Sequence, residues 1–236
     1  MKEATYPIVT FLLFHELCLL LGLSVEYVTY LSTILTLLLC YSDKIRFFLL
    51  SKTISGDLLK VIDLSYANLR ALQKIKLKTT QKLRVYVSLS GLLFPTVLGL
   101  MLGIYVIYRL PQYFIIYFLL FSFLTIAYNR FSIMVFEKGI LVSLASSIIT
   151  TVMLVLAVGT HYSLDSSTLF MLTYSVSALA TLTGVDLLNL RYVTFFKTKS
   201  IIVGGYGVRD AIFLIPAISS ITTRIVYSLI TLLSYT

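Results

Sequence analysis

Long apolar runs separated by short polar connections leave this chain little choice but membrane-spanning helices. From Tyr6 to Tyr41 the charged or titrating side chains are His15, Glu16 and Glu26, apart from the tyrosines and cysteines. As one helix this stretch would extend about 54 Å at 1.5 Å per residue, well past a hydrocarbon core of about 30 Å. It therefore has to break, and Gly22-Leu23-Ser24 is the natural place. The reading is a tight helical hairpin with spans at 6–22 and 25–41. The first span is short, so a re-entrant hairpin is the alternative.

Four further runs follow at about 85–108, 113–128, 140–158 and 168–190, and a last one begins near Gly207 and runs toward Tyr235. With 58% hydrophobic and 12% charged residues, the chain departs from the roughly 45–50% and 25% of soluble domains. The expected fold is an all-α polytopic bundle of seven transmembrane helices, a single membrane domain over 1–236 without a sizeable soluble part. Lys2 precedes the first run, but no small-residue cleavage site follows it, so no cleavable signal peptide is expected. Gly99 and Gly103 form a small-xxx-small pair suited to close helix packing, and Pro95 predicts a kink in the third span. Cys18 and Cys40 lie in apolar runs without metal or redox spacing and read as small buried hydrophobes. The 17 tyrosines replace the absent tryptophan at the membrane interfaces.

The net charge of +9 does not point to nucleic acid, because the basic residues collect between the apolar runs, as topology signals do. The longest connection, 42–84, holds Lys44, Arg46, Lys52, Lys60, Arg70, Lys74, Lys76, Lys78, Lys82 and Arg84 against Asp43, Asp57 and Asp63. Within it Leu58, Leu59, Ile62, Leu64, Leu69, Leu72, Ile75 and Leu77 fall roughly at helical spacing. That pattern predicts a basic amphipathic helix on the membrane surface, facing anionic lipid; a partner-binding helix is the rival reading. With this loop in the cytoplasm, the N-terminus, 129–139 and 191–206 also lie inside, while 109–112 and 159–167 lie outside with Arg109 alone. The asymmetry predicts N-terminus in, C-terminus out, in a plasma membrane.

Two aspartates stand within or against the apolar runs. Asp186 lies in Leu182-Thr183-Gly184-Val185-Asp186-Leu187-Leu188-Asn189-Leu190, and Asp210 follows Gly204-Gly205-Tyr206-Gly207-Val208-Arg209. A carboxylate at membrane depth costs a few kcal/mol, so each is a candidate functional residue. The expected topology puts both at similar depth on neighbouring spans. Two facing carboxyls do not both ionise cheaply and can hold one proton between them. Such a pair serves an aspartyl protease, with one carboxylate as base on water and the other as acid toward the carbonyl. It serves a proton-coupled transporter equally well. The bland alternative pairs Asp210 with Arg209 and leaves Asp186 to cap a helix or meet Arg191. Gly204, Gly205 and Gly207, ahead of a helix, let backbone approach a ligand, a carbonyl or the Asp186 carboxylate, or simply form a tight turn. Asn189 and Arg209 complete the shaping residues. His15 and Glu16, within the first span, are candidates for a second layer of the site, Glu16 pairing with His15 or with another span. Arg224 is expected to snorkel to the outer surface. His161 and Asp165 lack a third ligand, so no metal and no cofactor are expected.

The segments Thr183–Leu190 and Ile202–Leu214 resemble an uncharacterised prokaryotic family of multi-pass membrane proteins, domain-of-unknown-function family sixteen-fourteen. Its pattern has a glycine before Asp-Leu-Leu-Asn, then Ser-Ile-Gly-Gly-Ala-Gly-x-x-Asp-x-Ile-Phe-Leu. Weaker echoes stand at Leu21-Gly22-Leu23-Ser24 and at Ser90-Gly91-Leu92-Leu93-Phe94-Pro95. Tyr206, where the family has a small residue, and Arg209 before the aspartate are departures, and the long basic loop looks like an insertion. The resemblance implies a fold and a site, and no reaction. A looser similarity is to presenilin-type intramembrane aspartyl proteases, which carry an aspartate in one span and Gly-x-Gly-Asp at the next; here two residues separate Gly207 from Asp210. Three functions follow: a hydrolase-like site in which Asp186 and Asp210 activate water, a proton- or solute-coupled carrier using the same pair, or a non-catalytic membrane scaffold.

Overall fold

The structure is a computed structural model and describes residues 5–57, 78–135, 139–189, 200–205 and 207–234. Among the described residues, seven α-helices pack together: α1 (Thr5–Leu20), α2 (Val25–Tyr41), α3 (Phe94–Arg109), α4 (Phe114–Phe131), α5 (Leu144–His161), α6 (Ser166–Thr181) and α7 (Ala211–Ser234). With their flanking turns, six of them, α2 to α7, are long and apolar enough to cross a membrane. The exception is α1, whose 16 residues reach only about 24 Å. The hairpin breaks where expected. Gly22 takes a left-handed φ of 75°, Leu23 N–H reaches the Cys18 carbonyl and Gly22 N–H that of Leu19, a glycine-ended helix stop.

The centre of the bundle is α6. From Thr168 to Ala178 every residue is buried, with α3, α4, α5 and α7 packed around it. Gly99 and Gly103 make the close approach expected of them: a Cβ on Gly99 would meet that of Ala178, and one on Gly103 would strike the Tyr117 hydroxyl. Between α4 and α5 the Tyr128 and Thr151 hydroxyls hydrogen-bond. On the outer helices Tyr27, Leu37, Met101, Ile104, Leu119 and Met153 stand exposed. So many bulky apolar side chains need lipid against them.

The chain is mostly helical, as expected, but not all-α: among the described residues five strands occur, all in the connections, β1 (Arg46–Asp57), β2 (Lys78–Ser88), β3 (Ser132–Val135), β4 (Gly139–Val142) and β5 (Ser200–Val203). β1 and β2 pair antiparallel from Arg46 opposite Ser88 to Asp57 opposite Lys78, with an irregularity between Phe48 and Leu50. β5 adds in parallel to β2, Arg84 opposite Ser200 and Val87 opposite Val203. β3 and β4 make a separate hairpin. The reason is local: Leu83-Arg84-Val85-Tyr86-Val87-Ser88 alternates apolar with polar or aromatic residues and is rich in β-branched side chains. The third span accordingly starts at Leu89, not at 85. The apolar positions assigned to a surface helix, 58–77, lie outside the described residues.

Pro95 lies near the start of the third span, just after the Leu89–Leu93 turn. It sits in the first turn of α3, where its missing N–H leaves no bond unmade. The proline inside a helix is Pro216, in α7.

At the end of the bundle away from the sheet, Asp165 caps α6, accepting 2.9 Å and 2.6 Å hydrogen bonds from the Thr168 N–H and hydroxyl. Burial pushes its carboxyl up, but those hydrogen bonds and the charge of Arg109 outweigh this and hold it below the usual carboxylate range. Since the folded state binds its proton less readily than the unfolded one, the cap stabilises fully above the ordinary carboxylate range and fades as pH falls through the lowered value. Asp165→Ala is expected to cost about 1 kcal/mol near neutral pH. Thermal unfolding in detergent should show that loss shrink in acid; a loss constant with pH would contradict the assignment.

Candidate functional site

The sheet end of the bundle gathers the motif residues. β2 and β5 lie side by side, and each runs directly into a glycine-bearing turn and then a helix. After β5, Gly204 and Gly207 adopt φ of 69° and 62°, and Gly207 N–H closes on the Gly204 carbonyl at 3.0 Å. After β2, Leu89–Leu93 forms a wide π-type turn, entered by a 3.2 Å hydrogen bond from Gly91 N–H to the Ser88 hydroxyl. The two turns touch at their glycines. A Cβ on Gly91 would overlap the Gly204 carbonyl, and a Cβ on Gly204 would strike the backbone of Gly91 and Leu92.

Asp210 begins α7. Its N–H bonds the Gly207 carbonyl at 2.9 Å, its own carbonyl accepts from Phe213 and Leu214, and its Oδ1 accepts from Ile212 N–H at 3.2 Å. It is thus an N-cap, the commonest use of an aspartate at this position. Arg209 lies over the Tyr6 ring at 5.3 Å, so this turn is fastened to α1.

Asp186 lies in the second π-type turn, Leu182–Leu187, at the end of α6. There Leu188 N–H reaches back five residues to the Thr183 carbonyl, which releases the Gly184 carbonyl from the usual i to i−4 bond. Side chains take it up: Asn129 donates to it at 2.9 Å and Asn189 at 3.3 Å. Asn189 also donates to the Val185 carbonyl at 2.8 Å and is 2.9 Å from the Ser132 hydroxyl. A Cβ on Gly184 would fall on the Thr125 carbonyl, and the Thr125 and Thr183 hydroxyls stand 3.1 Å apart. The wide turn is therefore built and braced by α4. Such turns recur at functional sites. Asp186 Oδ2 is buried and without a hydrogen-bond partner among the described residues.

One carboxylate was not singled out from the sequence. Asp43, at the end of α2, accepts a 2.5 Å hydrogen bond from the buried Ser90 hydroxyl, and a Cβ on Gly207 would strike its carboxylate. It had counted only as an acid among the basic residues of the connection. The available signal was positional: like Asp186, it stands where an apolar helix ends.

Other candidates fall elsewhere. Asn189 is buried and serves the wide turn rather than an open cleft. Glu16 does pair with another span, forming an ion pair with Arg224, which corrects the expectation that Arg224 reaches the membrane surface. Arg224 lies 14 residues beyond Asp210, about 21 Å along α7, so the pair stands well away from the acids. His15 packs its ring against Phe11, centroids 5.8 Å apart. Tyr206 and Arg191 lie outside the described residues.

A bundle of long apolar helices with lipid-facing side chains and polar turns at one end defines a multi-pass integral membrane protein. Residues 50–222 match the family described as Protein of unknown function (DUF1614). The match covers most of the chain, and the protein belongs to that family. No curated protein and no solved structure matches it.

Proposed function

We propose that Asp186 and Asp210 form a hydrolase-like site at the sheet end of the bundle, with that end in the cytoplasm and the basic connection facing anionic lipid of the plasma membrane. The observation that carries the reading is the buried Oδ2 of Asp186, which has no hydrogen-bond partner among the described residues. A buried acceptor without a donor is costly unless something supplies a proton or a ligand. Two neighbouring carboxyls favour one shared proton over two bare carboxylates. The chemistry is general acid and base. One carboxylate draws a proton from water as the water oxygen bonds the amide carbon, and the other carboxyl gives its proton to the carbonyl oxygen. The C–N bond then breaks as the departing nitrogen gains a proton. The wide turn and the Gly204–Gly207 turn shape the backbone on either side.

A photoreactive peptide isostere with a tetrahedral hydroxyl in place of the scissile carbonyl tests it, since transition-state mimics bind about 10²-fold or more tighter than substrates. The wild-type protein in nanodiscs should be labelled, and Asp186→Asn and Asp210→Asn should each lose the label while keeping their unfolding midpoints within a few degrees. No labelling of the wild type would end the hydrolytic reading. The second reading, a proton-coupled carrier, draws on the polar groups deeper in the bundle; a non-catalytic scaffold is the outcome if neither variant alters any property.

A further inference from the structure

Away from the acids, the bundle carries more buried polarity than helix packing needs. The hydroxyls of Thr96, Ser147, Tyr174, Ser219 and Thr223 are buried and have no hydrogen-bond partner among the described residues. Serine and threonine in helices commonly bond back to the preceding turn, as Thr173, Ser177 and Thr181 do on α6. Tyr174 has no such option, because its phenol ends far from its own helix backbone, and it is fully buried.

The positions of these groups form a series. α6 runs toward the sheet end and α7 away from it, and the two pack together. Tyr174 is 12 residues before Asp186, about 18 Å along the axis, while Ser219 and Thr223 lie about 13 Å and 20 Å beyond Asp210. Tyr174 is therefore level with the stretch from Ser219 to Thr223. Thr96 supplies a hydroxyl from α3 and Ser147 one from α5, both helices that pack against α6. Arg224, next to Thr223, is ion-paired with Glu16 of α1. In hydrocarbon, unsatisfied polar atoms each cost several kcal/mol and need a partner inside the bundle.

We propose that α6 and α7, with α3 and α5 beside them, enclose a hydrated polar seam leading from Asp186 to the Glu16–Arg224 pair, a route for protons through most of the bundle. Water is the partner that fits, since each held water meets two to four polar groups. This inference rests on the acids' taking part in proton traffic and bears on which reading of them holds. Hydrolysis at the sheet end requires no polar groups about 20 Å further along the helices, whereas a coupled carrier requires such a path.

Radiolytic hydroxyl-radical footprinting of the full chain in nanodiscs tests it. Tyr174 should oxidise about tenfold faster than Phe170 and Phe213, because held water generates the radical beside it; both phenylalanines are equally buried. With Cys18 and Cys40 replaced by alanine, Ser219→Cys should react with a small charged thiosulfonate, and Ile149→Cys on the lipid-facing surface should not. Tyr174 as inert as the phenylalanines, together with an unreactive Ser219→Cys, overturns the seam, whatever the peptide isostere does at the acids. Both labels present, with proton uptake by proteoliposomes unaffected by Asp186→Asn, establishes the seam and removes the acids from it.

Discussion

Alanine at Gly204 is expected to cost this protein more stability than alanine at Gly91 or at Gly22. Two costs combine there. The residue sits at φ 69°, and a left-handed backbone costs an L-residue about 1–2 kcal/mol. The added methyl also strikes the backbone of Gly91 and Leu92, and overpacking costs about 1–3 kcal/mol where the neighbour cannot yield. Gly91→Ala bears only the second cost, since its Cβ overlaps the Gly204 carbonyl. Gly22→Ala bears only the first, since φ is 75° but nothing lies within 4 Å of the new methyl. The order of loss is therefore Gly204, then Gly91 or Gly22. With no tryptophan in the chain, a thiol-reactive dye is the natural reporter, as Cys18 is buried until the bundle opens. A ΔΔG of 1 kcal/mol moves the midpoint by about 2–4 °C in a chain of this size, so the three variants separate cleanly. Equal midpoints for Gly204→Ala and Gly22→Ala would mean that the two turns are not in contact.

That contact shows what one sequence can and cannot disclose. Gly204 and Gly207 stand out because glycines ahead of an apolar helix suggest a turn, and the break at Gly22 follows from the length of the run before it. The Gly99–Gly103 pair likewise declares a close approach. None of these says which partner is approached. Gly91 and Gly204 meet because β2 and β5 pair in parallel, and that pairing joins segments far apart in the chain. The strands themselves were obscured by charge: the basic residues of 42–84 read as a surface helix, and the alternation from Leu83 to Ser88 was divided between that helix and the third span. Asp43 was hidden by the same averaging, its role set by Ser90 and Gly207 rather than by its neighbours in sequence. Asp186 and Asp210 were legible because a carboxylate is conspicuous among leucines. That Asp210 caps α7 and that a wide turn presents Asp186 are matters of backbone geometry, which composition does not encode.

The Glu16–Arg224 pair should give the sharpest asymmetry between its two halves. Both side chains are about three-quarters covered, with 23% and 25% of their surface exposed. Breaking a buried pair costs about 3–5 kcal/mol, mostly because the remaining charge is stranded. Glu16→Gln strands a guanidinium, which does not deprotonate in proteins, so the full cost should appear near neutral pH. Arg224→Met strands a carboxyl, which can take a proton and become neutral. Its cost near neutral pH should therefore be the smaller of the two. The double variant Glu16→Gln with Arg224→Met removes both charges and should lie closer to wild type than Glu16→Gln alone, since two apolar or neutral groups replace an ion pair with little loss. Midpoints read by the thiol dye in detergent would check all three, with each variant compared across a pH series. If the double variant loses the sum of the two single losses, the side chains act independently and α1 is not fastened to α7 by charge; a subadditive double variant makes that pair the bond holding the first helix of the bundle to its last.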